Sequence, residues 1–196
     1  MPRITGPSIA EHVASQEAAV VDAARRLFSE RGVAAVSLGD IAAEVGLRRT
    51  SLYRYFPTKA HILERWFDLE MDPLVDRSRE VVAGAAPAAE TLKAWLDVQL
   101  DFFTDGAHRA LMEAAAASEE MPPDVVEHFG RRHRELYATL DGVLLSGGAE
   151  TAEVRRVRAL MIAGLVRSAA ELVSGGEDDA DVRRELHRGA AAIAGL

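Results

Sequence analysis

Residues 37–59 read SLGDIAAEVGLRRTSLYRYFPTK. Ser37 has the hydroxyl of a helix N-cap, and Asp40 three residues on supplies a short acidic capping box. Ile41, Ala42 and Val45 then recur at helical spacing and predict one inward face. Gly46 allows a tight turn and Leu47 plugs it. A second helix is expected from about Arg48 to Phe56, where Leu52 and Phe56 share the buried side. About 100° per residue from Leu52, Thr50 and Arg54 fall opposite, with Ser51 and Tyr53 on the flanks. Pro57 stops this helix, and Thr58 can cap the next. Arginine is a poor cap, and Arg48 and Arg49 oppose the positive end of the helix dipole. Folding does not ask for them there, so a polyanion is the reason they fit. The pattern is a helix-turn-helix whose second helix meets DNA.

The charge distribution supports that reading. The 196-residue chain carries −8 overall, which argues against a nucleic-acid binder until it is divided. Residues 1–66 hold nine Lys/Arg and seven Asp/Glu, whereas the remainder holds fourteen and twenty-four. Residues 46–59 contain four basic side chains and no acid. Screening over about 8–10 Å makes phosphate attraction local, so a basic tip on an acidic body still binds DNA.

Working outward, the chain is expected to be all-α. Alanine, arginine and leucine dominate, β-branched runs are rare, and prolines separate periodic segments. Residues 1–7 read as a loose arm. Ser8 with Glu11 has capping-box spacing, so a first helix begins near Ile9, or alternatively near Ser15, and ends at Gly32. Beyond Phe67 the breakers predict a segment over 60–84 that Pro73 kinks or splits. Helices follow at about 88–104, 106–118, 123–145, 150–174 and 179–194. That makes about nine helices. The expected domains are 1–60, a three-helix DNA-binding head, and 61–196, a larger helical body.

The segment VGLRRTSLYRYFPTKAHIL resembles the recognition-helix signature of TetR-type (tetracycline-repressor-like) transcriptional regulators. AVVDAARRLFSERG before it and HILERWF after it fit as well, and the resemblance covers roughly residues 15–67. One position departs: Arg48 stands where the family has a small capping residue. The resemblance implies that Ser37, Tyr53, Tyr55 and Lys59 touch phosphates, and that Arg49, Thr50 and Arg54 reach base edges, with Arg48 and Ser51 beside them. Arginine can grip guanine as a fork, and the threonine methyl can meet that of thymine. The resemblance also implies a small-molecule effector among the middle helices. By residue type the candidates are Trp95, Gln99, Phe102, Phe103, Met112, His128, Phe129, His133, Tyr137 and Met161, although aromatic and methionine side chains at this spacing equally fill cores. It implies a homodimer through the last two helices, where Val157, Leu160, Met161, Gly164, Leu165, Leu186, Ala190 and Ile193 lie on apolar stripes.

No other chemistry stands out. The chain has no cysteine, which excludes disulfides, thiol catalysis and thiolate metal sites. His128 and His133 are five apart on different helix faces, and neither His108 with Glu113 nor Glu119-Glu120 completes a metal set. No phosphate-cradling glycine loop or nucleophile elbow is present. No cofactor and no enzymatic activity are expected. With no signal core and no apolar run of about 20 residues, a cytoplasmic location without membrane contact is expected. A helical enzyme, or a protein-binding adaptor using the last helix, stays open as an alternative. The adaptor leaves the basic cluster at 46–59 unexplained.

Overall fold

The computed structural model of the chain describes residues 9–118 and 121–196. The expected arm at 1–7, the Ser8 cap and the Glu119-Glu120 pair lie outside the described residues. Ten helices follow one another: α1 (Ile9–Arg31), α2 (Leu38–Glu44), α3 (Arg49–Tyr55), α4 (Lys59–Val82), α5 (Ala88–Thr104), α6 (Gly106–Ala116), α7 (Pro123–Ala138), α8 (Asp141–Ser146), α9 (Ala152–Ser174) and α10 (Asp179–Ala194). The architecture is all-α, with no strand among the described residues.

One expectation about helix boundaries is corrected. Of the two outcomes expected at Pro73, a kink or a split, the split does not occur, and α4 runs through it. The proline is solvent-exposed, so the carbonyl it frees one turn back can be hydrated. The expected helix over 123–145 is two helices, which raises the count from nine to ten. Neither glycine nor proline breaks it. The amides of Thr139 and Leu140 instead bond the carbonyls of Leu136 and Tyr137, three residues back. The Thr139 hydroxyl donates to Leu136 O at 2.6 Å and accepts from Trp95 Nε1 at 2.8 Å. A contact from 44 residues away holds the tight turn.

The chain forms two compact units. Unit one comprises Met1–Asp68 with Ala110–Glu127, and unit two comprises Leu69–Arg109 with His128–Leu196. The sequence division at 60/61 is linear, whereas the compact units are not. The segment 110–127 carries Leu111, Ala114 and Val125 into burial within unit one.

In unit one, Val20, Ala24, Leu27 and Phe28 of α1 form the expected stripe and are buried, as are Ile41, Leu52, Phe56, Ile62 and Phe67. Polar ties surround this core. Arg26 pairs with Glu44 at 3.1 Å, Arg65 with Glu17 at 3.2 Å, and Arg25 lies over the Trp66 ring at 4.7 Å. These exposed or half-exposed ties add little stability and mainly fix register.

In unit two, Trp95, Leu96 and Leu100 of α5 are fully buried with Leu136, Leu144 and Ile162. Arg183 fastens α10 to α5 by reaching Asp97 at 3.2 Å and Asp101 at 2.5 Å. The C-terminal ends of α8 and α10 meet backbone to backbone. A Cβ on Gly147 would stand 1.9 Å from Ala194 O, so only glycine fits there. Arg158 donates to both Gly147 O and Ala194 O, at 2.9 and 2.7 Å.

Candidate nucleic-acid interface

The site is built by two seven-residue helices and the turn between them. Ser37 caps α2: its hydroxyl accepts from the Asp40 amide at 3.2 Å, and Asp40 Oδ2 accepts from Ser37 N at 2.8 Å. The Ser37 hydroxyl also donates to Asp40 at 2.6 Å. That hydrogen bond, with the Ser37 amide adding to it, holds the Asp40 carboxyl below its ordinary range. The two groups Ser37 could offer a phosphate are therefore both used within the cap.

At the turn, Leu47 N donates to Ala42 O at 2.8 Å, and Gly46 takes a φ of +69°. That left-handed conformation favours glycine. Arg48 is the N-cap of α3 with extended backbone and no side-chain cap. Its carbonyl accepts from Ser51 N at 2.8 Å and Leu52 N at 3.2 Å. The cap is thus a backbone one, and the Arg48 side chain is exposed.

The two faces of α3 separate as expected. Leu52 and Phe56 are buried, while Arg48, Arg49, Thr50 and Arg54 are exposed and Ser51 and Tyr55 half-buried. Tyr53 is 41% exposed. Arg49 Nη2 donates to the Tyr53 hydroxyl at 2.9 Å, with its guanidinium 5.4 Å from that ring. This bond raises the Arg49 pKa further. One turn of helix thus holds Arg49 and Tyr53 as a unit, an arrangement that spacing alone did not reveal.

Lys59 is different. Its ammonium donates to Val33 O at 2.7 Å and lines a pocket of about 220 Å³ with Ala34, Thr58 and Ser118. It clamps the start of α4 to the α1–α2 connection. Thr58 does not act alone as a cap, because its hydroxyl and His61 Nδ1 lie 2.8 Å apart.

Residues 20–65 match the family model for bacterial regulatory proteins of the tetR family. This stretch of the chain is similar to the DNA-binding head of that family. It is 33% identical over 72 residues to the HTH-type transcriptional repressor KstR2 of Rhodococcus jostii, a match covering 37% of this chain and 35% of that protein. It is 38% identical over 50 residues to the regulator AcrR of Shigella flexneri, covering 26% and 23%. The chain therefore matches about a third or less of the length of these curated relatives. Beyond the head, the likeness is in fold alone. A transcriptional regulator FadR from Bacillus subtilis, solved in complex with stearoyl-CoA, superposes with a TM-score of 0.70 over 91% of this chain and 98% of that one, at 19% identity.

The other sequence candidates divide by unit. In unit two the rings of Trp95 and Tyr137 lie 5.9 Å apart, and Phe102 and Phe103 5.3 Å apart. Gln99 is fully buried. His133 donates from Nδ1 to Phe129 O at 2.8 Å, and burial holds it below the usual histidine range, with His108 adding to this. Burial pushes the Tyr137 hydroxyl up to about 12. His128 accepts from Arg131 at 2.6 Å. Two candidates do not join this cluster. Met112 lies in unit one and is 46% exposed, and Met161 is 53% exposed on the outer side of α9. Sequence reasoning missed Glu70 and Ser78, because each sits singly in an amphipathic pattern, and weighed His108 only as a metal ligand with Glu113.

The interface candidates also split. Val157, Leu160 and Met161 are exposed on α9, with Val154 and Leu172 extending the face. Leu186 and Ala190 are buried within their own chain, so they are corrected from interface to core. Gly164, Leu165 and Ile193 are half-buried. The stripe on α10 closes against α9: a Cβ on Gly189 would stand 3.3 Å from Leu165 Cδ1. Among the described residues, no helix is long and apolar enough to cross a membrane.

Proposed function

We propose that the protein is a cytoplasmic, homodimeric transcriptional regulator. It acts as a repressor on a palindromic DNA operator and is released by a small, mostly apolar effector. The observation that carries this is the outward face of α3: Arg48, Arg49, Thr50 and Arg54 are exposed together, with no acid between residues 46 and 59. Arg49, Thr50 and Arg54 read bases. Tyr53 and Tyr55 set register on phosphates, and Ser51 flanks them. The Arg49–Tyr53 bond holds the guanidinium ready, which lowers the ordering cost of binding. Lys59 spends one of its three donors on Val33 and keeps two for a phosphate. Ser37 reaches a phosphate only by opening its cap, so its weight in binding is small.

The test begins with DNA selected from genomic fragments by the purified chain. Arg49→Ala should weaken binding to the selected site by about 1–3 kcal/mol and relax preference at one base pair, read by fluorescence anisotropy. An unchanged affinity and an unchanged preference would remove the reading of α3.

A helix-turn-helix protein gains a second half-site by pairing with itself. The exposed apolar face of α9 supports that pairing, since large apolar patches mark interfaces. Beside it lies a groove of about 330 Å³ lined in part by Leu165, Leu172, Val182 and Leu186. In light scattering the chain should run at twice its 21.2 kDa mass. Leu160→Glu should return it to chain mass, because a twofold axis brings two buried carboxylates together. A wild-type monomer at all concentrations would end the two-half-site model.

The effector belongs to the aromatic core of unit two. It lowers DNA affinity only to the extent that it prefers a conformation unsuited to the operator.

A further inference from the structure

In unit two, Gln99 and His108 each bury a side-chain polar atom that has no hydrogen bond. Gln99 is fully buried; its Nε2 donates to the Ser78 hydroxyl at 2.9 Å, and its Oε1 is unpaired. His108 is 5% exposed, and its Nδ1 is unpaired. Glu70 Oε2 stands 3.8 Å from that nitrogen, beyond hydrogen-bond reach. Buried polar atoms in native proteins are nearly always satisfied, and an exception asks for a cause.

Phe102 and Phe103 of α5 connect the two residues. Gln99, Phe102 and Phe103 are spaced i, i+3, i+4 and share a face of α5. The His108 ring lies against both phenylalanines, with centroids 4.6 and 5.0 Å away. About one helical turn, roughly 5 Å, therefore separates the levels of the two groups along α5. The surrounding walls are aromatic.

The chemistry of the pair selects a ligand. Gln99 Oε1 only accepts, so the ligand must donate to it. With a proton on Nδ1, His108 donates, and the ligand accepts. A hydroxyl does both. An anion would be buried beside Glu70, and a cation offers His108 no acceptor.

We propose that Gln99 and His108 are the polar contacts of the effector site, and that the effector is an uncharged hydroxylated molecule with an aromatic or aliphatic body. The inference rests on the effector reading above and names its ligand class.

Phenol, benzoate and benzylamine serve as probes that share an aromatic ring and differ in charge. Binding is measured by calorimetry on the full chain, on Gln99→Met and on His108→Phe, with melting temperatures alongside. Phenol should bind the wild type at least about tenfold better than either charged probe. Each variant should lose about tenfold in phenol affinity, the equivalent of 1.4 kcal/mol. Melting temperatures confirm that each variant is folded, since Gln99→Met takes the donor from Ser78 and His108→Phe the imidazole from beside Glu70. Phenol affinity intact in both folded variants would overturn the proposal. Preferred binding of benzoate or benzylamine would overturn the ligand class. A compound that releases DNA yet binds both variants as well as it binds wild type would overturn the site and leave the effector reading standing. If neither these probes nor a graded series of phenols and alcohols binds, the effector reading falls as well.

Discussion

Truncating Trp95 to alanine should lower the unfolding free energy by about 3–5 kcal/mol, read as a fall in the urea midpoint at unchanged slope. The indole is fully buried in unit two, so its removal loses a large apolar transfer term and leaves a cavity. It also removes the 2.8 Å bond to Thr139. Thr139 keeps its own bond to Leu136 O at 2.6 Å, so the loss is mostly packing, not an orphaned hydroxyl. The bond is a second readout. Trp95→Phe keeps most of the ring but not the donor, and should cost about 1 kcal/mol while loosening the α7–α8 turn. A cost below about 1 kcal/mol for the alanine variant would mean that the site collapses freely and that Trp95 does not organise this core.

The second large effect is on the DNA-binding head. Leu52→Ala should cost about 2–5 kcal/mol in unit one and abolish operator binding. Seven residues are too few for a stable isolated helix, so α3 depends on the body it packs against. Leu52 is its fully buried anchor, and Phe56 adds the other at its C-terminal end. Hydrogen exchange locates the failure. The amides of Ser51, Leu52 and Phe56, which bond Arg48 O, Arg48 O and Leu52 O, should lose protection, while amides in α5 keep theirs. Unchanged protection with lost DNA binding would mean that Leu52 acts in some way other than anchoring the helix.

The two effects differ in how visible their causes are in sequence. Leu52 is legible because its partners are local. Helix period, a capping serine, a turn glycine and a terminating proline all act within four or five residues, and they agree. The same agreement makes the buried and the basic face of α3 legible in the sequence. Trp95 is legible as a core residue. Its role in ending α7 is not, because that role depends on Thr139, 44 positions away.

Local sequence therefore determined the helices, their caps, the two faces of α3, and the basic tip on an acidic chain. Tertiary structure decided what each polar or apolar group does once the helices meet. It turned Lys59 back to Val33, tied Arg49 to Tyr53, placed 110–127 in unit one, and closed Leu186 and Ala190 into the core while leaving Val157, Leu160 and Met161 exposed. It also left Gln99, a candidate by residue type, and His108 each with a buried polar atom that has no hydrogen bond. The physical reason is range. Capping and periodicity act between neighbours in the chain, whereas desolvation and hydrogen-bond satisfaction depend on neighbours in space.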